Sequence, residues 1–341
     1  MNNNMTSMPT HKSNGSLVWN VLKILLALGL VFFVLSKTDI AELSSTLQNA
    51  SIFWLIVSGV LFVVLTLLKT LQYYTLMRNE LTYAQVLNLI IWQNAVSNFF
   101  LAGAGILTYI TTTRIEHEMK LSRSVTIFFL TKVGDLTAIW LALGISSRLV
   151  WSQIGILQIP VLVLLAGIGI VLAGFFLTIL FRQRFVFSLD KILARLGMLK
   201  IRLVEKGLSY FRSLATIKQE KILSLFGRLL LYSLIYLIIT ISWIYANLAI
   251  FHLQLNIPAV IFVSVLMQLI SYFPISVFGG LGINETSALY FWSFFEVPQD
   301  LLAPALIGVR VVFYLFNMIP LIYLPVYSTF LKPKEQVHNE P

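Results

Sequence analysis

Phe273-Pro274-Ile275-Ser276-Val277-Phe278-Gly279-Gly280-Leu281-Gly282-Ile283-Asn284-Glu285 interrupts an apolar run that extends from Ile257 to Phe295. The proline removes a backbone donor and clashes with the preceding turn, while Gly279, Gly280 and Gly282 permit positive φ and close backbone approach, so a helix entering this stretch breaks. Asn284 is suited to cap the half-helix that follows. The free N–H groups at such a start favour an anion, for example a lipid phosphate held beside Ser276 and the glycines. A glycine-lined packing turn with no ligand explains the glycines alone equally well. Glu285 resists that reading, because an ionisable group inside a membrane costs several kcal/mol and normally faces a partner or a wet cavity.

That the depth is membrane depth follows from the rest of the chain. Of its 341 residues, 58% are hydrophobic and 11% charged, where a soluble domain has about a quarter charged. Such a chain lacks the charged surface water demands, which points to an all-α polytopic membrane protein. A spanning helix takes about 20 apolar residues. Leu17–Ser36, Ile52–Met77, Val125–Ser146, Ile154–Phe181, Leu225–Phe251 and Leu301–Leu331 qualify, with polar tails at 1–16 and 332–341. Leu17–Leu35 is long for a signal peptide and is read as a retained span.

Two stretches, Ala84–Thr113 and Ile257–Phe295, are apolar but interrupted by glycine, proline or amides. Charge decides how to read them. Much of the net charge of +10 sits between Arg182 and Arg228, and positive loops stay cytoplasmic. If both stretches enter and return on one side, then the N-terminus, Arg78, the Arg114–Arg123 loop, the basic segment 182–224 and the C-terminus share the cytoplasmic side. Glu296 and Asp300 then lie outside. Single crossings break this agreement. The expectation is therefore six full spans plus two re-entrant helical hairpins, in a bacterial or archaeal cytoplasmic membrane with both termini cytoplasmic. Basic and apolar residues alternate over Phe185–Leu223, which predicts amphipathic helices against anionic inner-leaflet headgroups.

Ser97 and Ser271, Phe99 and Phe273, Gly105 and Gly279, and Gly134 and Gly308 are each 174 residues apart. Composition alone produces many such identities, but their placement suggests inverted repeat halves at 84–146 and 258–320, an architecture of many transporters. The first half's stretch carries Asn94, Ser97, Asn98, Gly103 and Gly105, an uncharged counterpart of the opening motif. Lys132 and Asp135 lie one turn apart in the following span and Arg310 occupies the corresponding span of the second half; either these charges pair structurally or at least one contacts substrate, and with Asn94 and Asn98 they are the candidate substrate-binding residues, Arg310 and Lys132 as holders of a phosphate. These groups should face the interior. Lys69 and Arg78 are expected to snorkel from the second span.

Other chemistries find no residues. The chain has no cysteine and four histidines without metal-ligand spacing. No phosphate-binding glycine-lysine loop occurs and no nucleic-acid module accompanies the basic segment. Neither catalytic group, metal nor cofactor is expected.

The residues from Leu17 to Leu331 resemble the flippase-like transmembrane domain of bacterial lysylphosphatidylglycerol synthases and its stand-alone relatives. The resemblance rests on the Arg78 end of the second span, Asn94 to Gly105 before a basic loop, Lys132 with Asp135, and Pro274-Ile275-Ser276 leading to Gly279-Gly280-Leu281-Gly282 and Glu285. Leu101-Ala102 stand where the family often has a proline, and Thr131-Lys132 where it has an acidic-basic pair. The resemblance implies movement of a lipid between leaflets. The synthases carry an aminoacyltransferase domain after the membrane part, so lysine transfer is not expected of this chain. The expected partners are membrane lipids, either phospholipid or polyprenyl phosphate. Homo-oligomers and an envelope-synthesis partner stay open, and the alternative is an accessory or scaffold protein in envelope lipid or glycan synthesis.

Overall fold

The computed structural model describes residues 48–100, 102–195, 219–253, 255–272 and 283–328. The expected first span Leu17–Ser36, most of the basic segment, and Ser276, Gly279, Gly280 and Gly282 lie outside them. Among the described residues the chain is helical, with no strand. The helices are α1 (Ile52–Met77), α2 (Tyr83–Phe99), α3 (Ala102–Ile115), α4 (Leu121–Leu149), α5 (Gln158–Arg195), α6 (Gln219–Ile250), α7 (Ile257–Ser271), α8 (Ile283–Trp292) and α9 (Gln299–Met318), continued by a tight turn and the short α10 (Tyr323–Val326).

Five segments are long and apolar enough to cross a membrane: Ile52–Met77, Leu121–Leu149, Gly155–Thr178, Ser224–Ile250 and Leu301–Val326. Each coincides with an expected span. Half of the α4 window is buried inside the bundle against 11% for α1, so α4 is the central helix and α1 lies at the periphery. Ile52, Phe53, Ile56, Val60 and Val63 of α1 are exposed, as lipid contact requires.

The two interrupted stretches fold as helix pairs. α2 and α3 have 17 and 14 residues, and α7 and α8 have 15 and 10, each short of the roughly 20 that a crossing takes. α2 begins with a capping box, in which Thr82 Oγ1 accepts from the Gln85 amide at 3.4 Å and Gln85 Oε1 accepts from the Thr82 amide at 2.8 Å. α2 and α3 pack closely because Gly105 has no side chain: a Cβ there would stand 2.7 Å from Ser97 Cβ and 2.8 Å from the Gln93 carbonyl oxygen.

One expectation is corrected. Residues 185–195 do not start a separate amphipathic helix; they continue α5, whose 38 residues extend about 57 Å at the α-helical rise. No glycine or proline occurs between Gly174 and Arg195 to stop it.

Contacts between helix ends order the bundle. At one end, the Ser51 amide donates to the Ile250 carbonyl at 2.9 Å, and Val150, Ile154, Leu253, Ala259 and Leu302 share a core. Phe295, just after α8, meets Phe262 of α7 edge-on at 6.1 Å. At the opposite end, Arg123 pairs with Glu80 at 3.1 Å and donates to the Leu76 carbonyl at 2.8 Å. The Tyr323 hydroxyl reaches the Ala84 carbonyl there at 3.4 Å.

Two large apolar cores result. One joins Tyr73, Met77, Leu89, Ile127, Val133, Phe175 and Leu229. The other joins Ala138, Leu143, Leu237, Phe262 and Trp292. On α4 the boundary falls between Val133 and Ala138, and on α6 between Leu229 and Leu237.

Candidate functional site

Asp135 and Ser233 occupy that boundary. Gly134 makes their meeting possible, since a Cβ at this position would stand 3.0 Å from Ser233 Oγ; without one, α4 and α6 approach closely. Ser233 Oγ donates to Asp135 Oδ1 at 2.9 Å. Gln72 Nε2 of α1 donates to the same oxygen at 3.1 Å and to Ser233 Oγ at 2.7 Å. Lys69 Nζ donates to Asp135 Oδ2 at 2.6 Å and to Gln72 Oε1 at 2.8 Å, and lies 4.7 Å from the centroid of the Tyr236 ring. Both carboxylate oxygens of the buried Asp135 are thus occupied. This corrects the expectation for Lys69. Leu65, Gln72 and Leu76 mark the buried stripe of α1, Lys69 falls on it by helical spacing, and its ammonium turns inward to the carboxylate instead of snorkelling.

Of the two alternatives for Lys132, pairing with Asp135 is not the one the structure shows. With Asp135 held by Lys69, Lys132 Nζ lies 4.9 Å from the Tyr272 ring centroid and 5.6 Å from that of Phe128. Lys132 is half-buried. No carboxylate among the described residues forms an ion pair with it. The layer holds two ammonium groups and one carboxylate.

A second charged pair joins the start of α8 to α9. Arg310 Nε and Glu285 Oε1 are 2.8 Å apart, with the side chains 11% and 24% exposed. The guanidinium lies 5.5 Å from the Phe313 ring centroid and 5.3 Å from that of Tyr314, a cation–π arrangement. Asn284 and Glu285 stand in the first turn of α8, where negative charge complements the helix dipole; the helix starts at Ile283, so Asn284 lies within it rather than in front of it. The tip of α2 reaches the same part of α9. Asn98 Nδ2 donates to Asn317 Oδ1 at 2.6 Å, Asn317 Nδ2 donates to the Phe313 carbonyl at 2.7 Å, and Phe99 stacks on Tyr314 at 5.8 Å. Asn94 is half-buried one turn before Asn98. Both helix breaks therefore lie beside charged or amide side chains of the central spans.

Lys132, Asp135, Glu285, Arg310 and Asn98 were legible as interior groups. Gln72, Ser233 and Asn317 were not singled out. A signal existed for two of them: Gln72 follows Lys69 by three positions in an otherwise apolar span, and Asn317 follows Arg310 by seven, on one helix face. Ser233 carries no such signal.

The lysylphosphatidylglycerol synthase TM region is the family whose pattern matches the chain, over residues 20–320. The chain belongs to this family. No curated protein matches it. The match takes in α1 to α9 and ends before α10, so both charged clusters fall inside the family region. The five apolar helices and the family together make it a multi-pass membrane protein related to lipid handling.

Proposed function

We propose that this protein moves a phospholipid or polyprenyl-phosphate lipid, with an anionic or modified headgroup, between membrane leaflets, and that it is a flippase or scramblase and not an enzyme. The observation that carries the reading is the charged layer of Lys69, Lys132 and Asp135 set between two apolar cores. Ionisable groups in that position mark substrate or ion pathways more often than structural ones. Membership of a family named for a phospholipid synthase supports a lipid as cargo.

In this reading the two helix pairs are re-entrant hairpins of an inverted repeat. Support comes from their short described helices and from contacts near their outer ends: Ala84 with Tyr323 and Tyr109 with Ser124 for one pair, Phe262 with Phe295 for the other. Backbone broken at membrane depth is tolerated where protein covers it or water fills a cavity. The end carrying Arg78, Arg114, Lys120 and Arg123 faces the cytoplasm. The headgroup passes through the polar interior while the acyl chains stay outside; an apolar groove of about 510 Å³ between α1 and α9, lined by Leu55, Gly59, Val63 and Phe316, suits a chain.

Reconstitution tests it. Vesicles containing the protein should translocate at least one of three labelled probes, an anionic phospholipid, an aminoacylated phospholipid or a polyprenyl phosphate, faster than empty vesicles, and Glu285→Gln or Arg310→Gln should slow this about tenfold or more. No transport above empty vesicles for all three sinks the reading. A second reading, a scaffold for a cytosolic envelope enzyme, draws on the exposed basic end of α5 at Lys191 and Arg195. It predicts the opposite ranking in cells: loss of function on deleting Arg182–Arg228, and none on replacing Glu285 or Arg310.

A further inference from the structure

Arg310 has Glu285 and Lys69 has Asp135. Among the described residues Lys132 meets aromatic faces, beside a carboxylate already contacted at both oxygens. Formal charges of the layer sum to one uncompensated positive charge among the described residues. Such a charge at membrane depth is stabilised by one anion. A second unmet requirement lies on α7, which packs against α4. Gln268 Nε2 is buried and donates to nothing among the described residues, although buried donors are ordinarily paired. Gln268 stands one turn before Tyr272, the residue that caps α7, and Tyr272 is the ring over which Lys132 sits. An ammonium and an amide N–H on facing helices, with an aromatic wall, offer two donors to an anion with several oxygens, and the uncompensated positive charge repels a cation.

We propose that Lys132 and Gln268, walled by Tyr272 and Phe128, bind a singly charged phosphate group, supplied either by a lipid phosphodiester with an uncharged headgroup alcohol or by free inorganic phosphate. The inference deepens the transport reading and depends on it for the lipid source. Charge sets the selectivity. A phosphodiester monoanion neutralises the layer, whereas a headgroup with its own ammonium brings a like charge toward Lys132. Tyr272 is 37% exposed and is the last described residue before the break at 273–282, which puts the anion at the edge of the broken stretch.

The full chain in non-ionic detergent provides the test, with its thermal-unfolding midpoint read against dihexanoyl phosphatidylglycerol, dihexanoyl phosphatidylcholine and inorganic phosphate. Phosphatidylglycerol should half-saturate the shift at about tenfold lower concentration than phosphatidylcholine, the scale of one charge-assisted contact. Lys132→Gln should abolish that preference, Lys132→Arg should keep it, and Gln268→Leu should weaken it severalfold. A phosphate-induced shift lost in Lys132→Gln, with no added gain from phosphatidylglycerol, upholds the site and names free phosphate as its ligand. Equal curves for the two lipids with no phosphate effect in the wild-type protein, or an unchanged preference in Lys132→Gln, overturn the proposal. If Lys132→Gln does not elute as a single species, the wild-type comparison and Gln268→Leu decide. The two readings separate cleanly: Lys132-dependent binding without vesicle transport removes the transport reading alone, and transport without such binding removes this site alone.

Discussion

Asp135 ties three helices together, because its two oxygens accept from Lys69 and Gln72 of α1 and from Ser233 of α6. Removing one member of a buried ion pair leaves the other charge uncompensated, at roughly 3–5 kcal/mol. Asp135→Asn should therefore lower the thermal midpoint in detergent strongly. Lys69→Met should lower it less, since Lys132 stands one turn away on α4 and can turn to the vacated oxygen. The double variant Lys69→Met with Asp135→Leu should be more stable than Asp135→Asn, as apolar replacement of a whole pair is often near neutral. Equal losses for the two single variants would contradict the role given to Lys132. The residue types of this layer were legible, because charges in an apolar span stand out. Their pairing was not: Lys69 and Asp135 are 66 positions apart and Ser233 and Asp135 are 98 apart, whereas Lys132 and Asp135 are near neighbours in sequence and draw the eye.

Elements meet here where side chains are absent. Gly105 brings α3 onto α2, and Gly134 brings α4 onto α6. A Cβ at Gly105 would meet Ser97 and the Gln93 backbone, neither of which can swing away. Gly105→Val should thus separate α2 from α3 and cost about 1–3 kcal/mol, seen as a lower midpoint and faster amide exchange in both helices. Gly134→Ala should be milder, because the nearest atom is the end of the Ser233 side chain at 3.0 Å, and its effect should be confined to the Asp135 layer. Thr82→Ala removes one half of the α2 capping box and should fray that helix start by about 1 kcal/mol, visible as exchange limited to residues 83–86. That both stretches are interrupted was legible, but Gly103 and Gly105 lie inside α3 and do not mark the end of α2 at Phe99, and Pro274 to Gly282 lie outside the described residues. The length of α5 was not read correctly, because alternating basic and apolar residues signal an amphipathic surface and do not reveal whether a new helix begins there.

At the scale of the whole molecule, the absence of cysteine allows sidedness to be read one engineered thiol at a time. Glu80→Cys and Glu116→Cys should react with a membrane-impermeant maleimide from the same side, and His252→Cys and Glu296→Cys from the other. Labelling of Glu80→Cys and Glu116→Cys from opposite sides would remove the re-entrant reading of α2 and α3. By itself the sequence determined the solvent and the five apolar spans that the structure describes, since these depend on local composition and on the length needed to cross hydrocarbon. The structure decided which charges meet. The opening motif illustrates the division: proline and glycine announce that the helix stops, but the pairing of Glu285 with Arg310 and the isolation of Lys132 beside Tyr272 arise from how α4, α7, α8 and α9 cross. Crossing geometry is set by packing between residues far apart in the chain, and no local pattern encodes it.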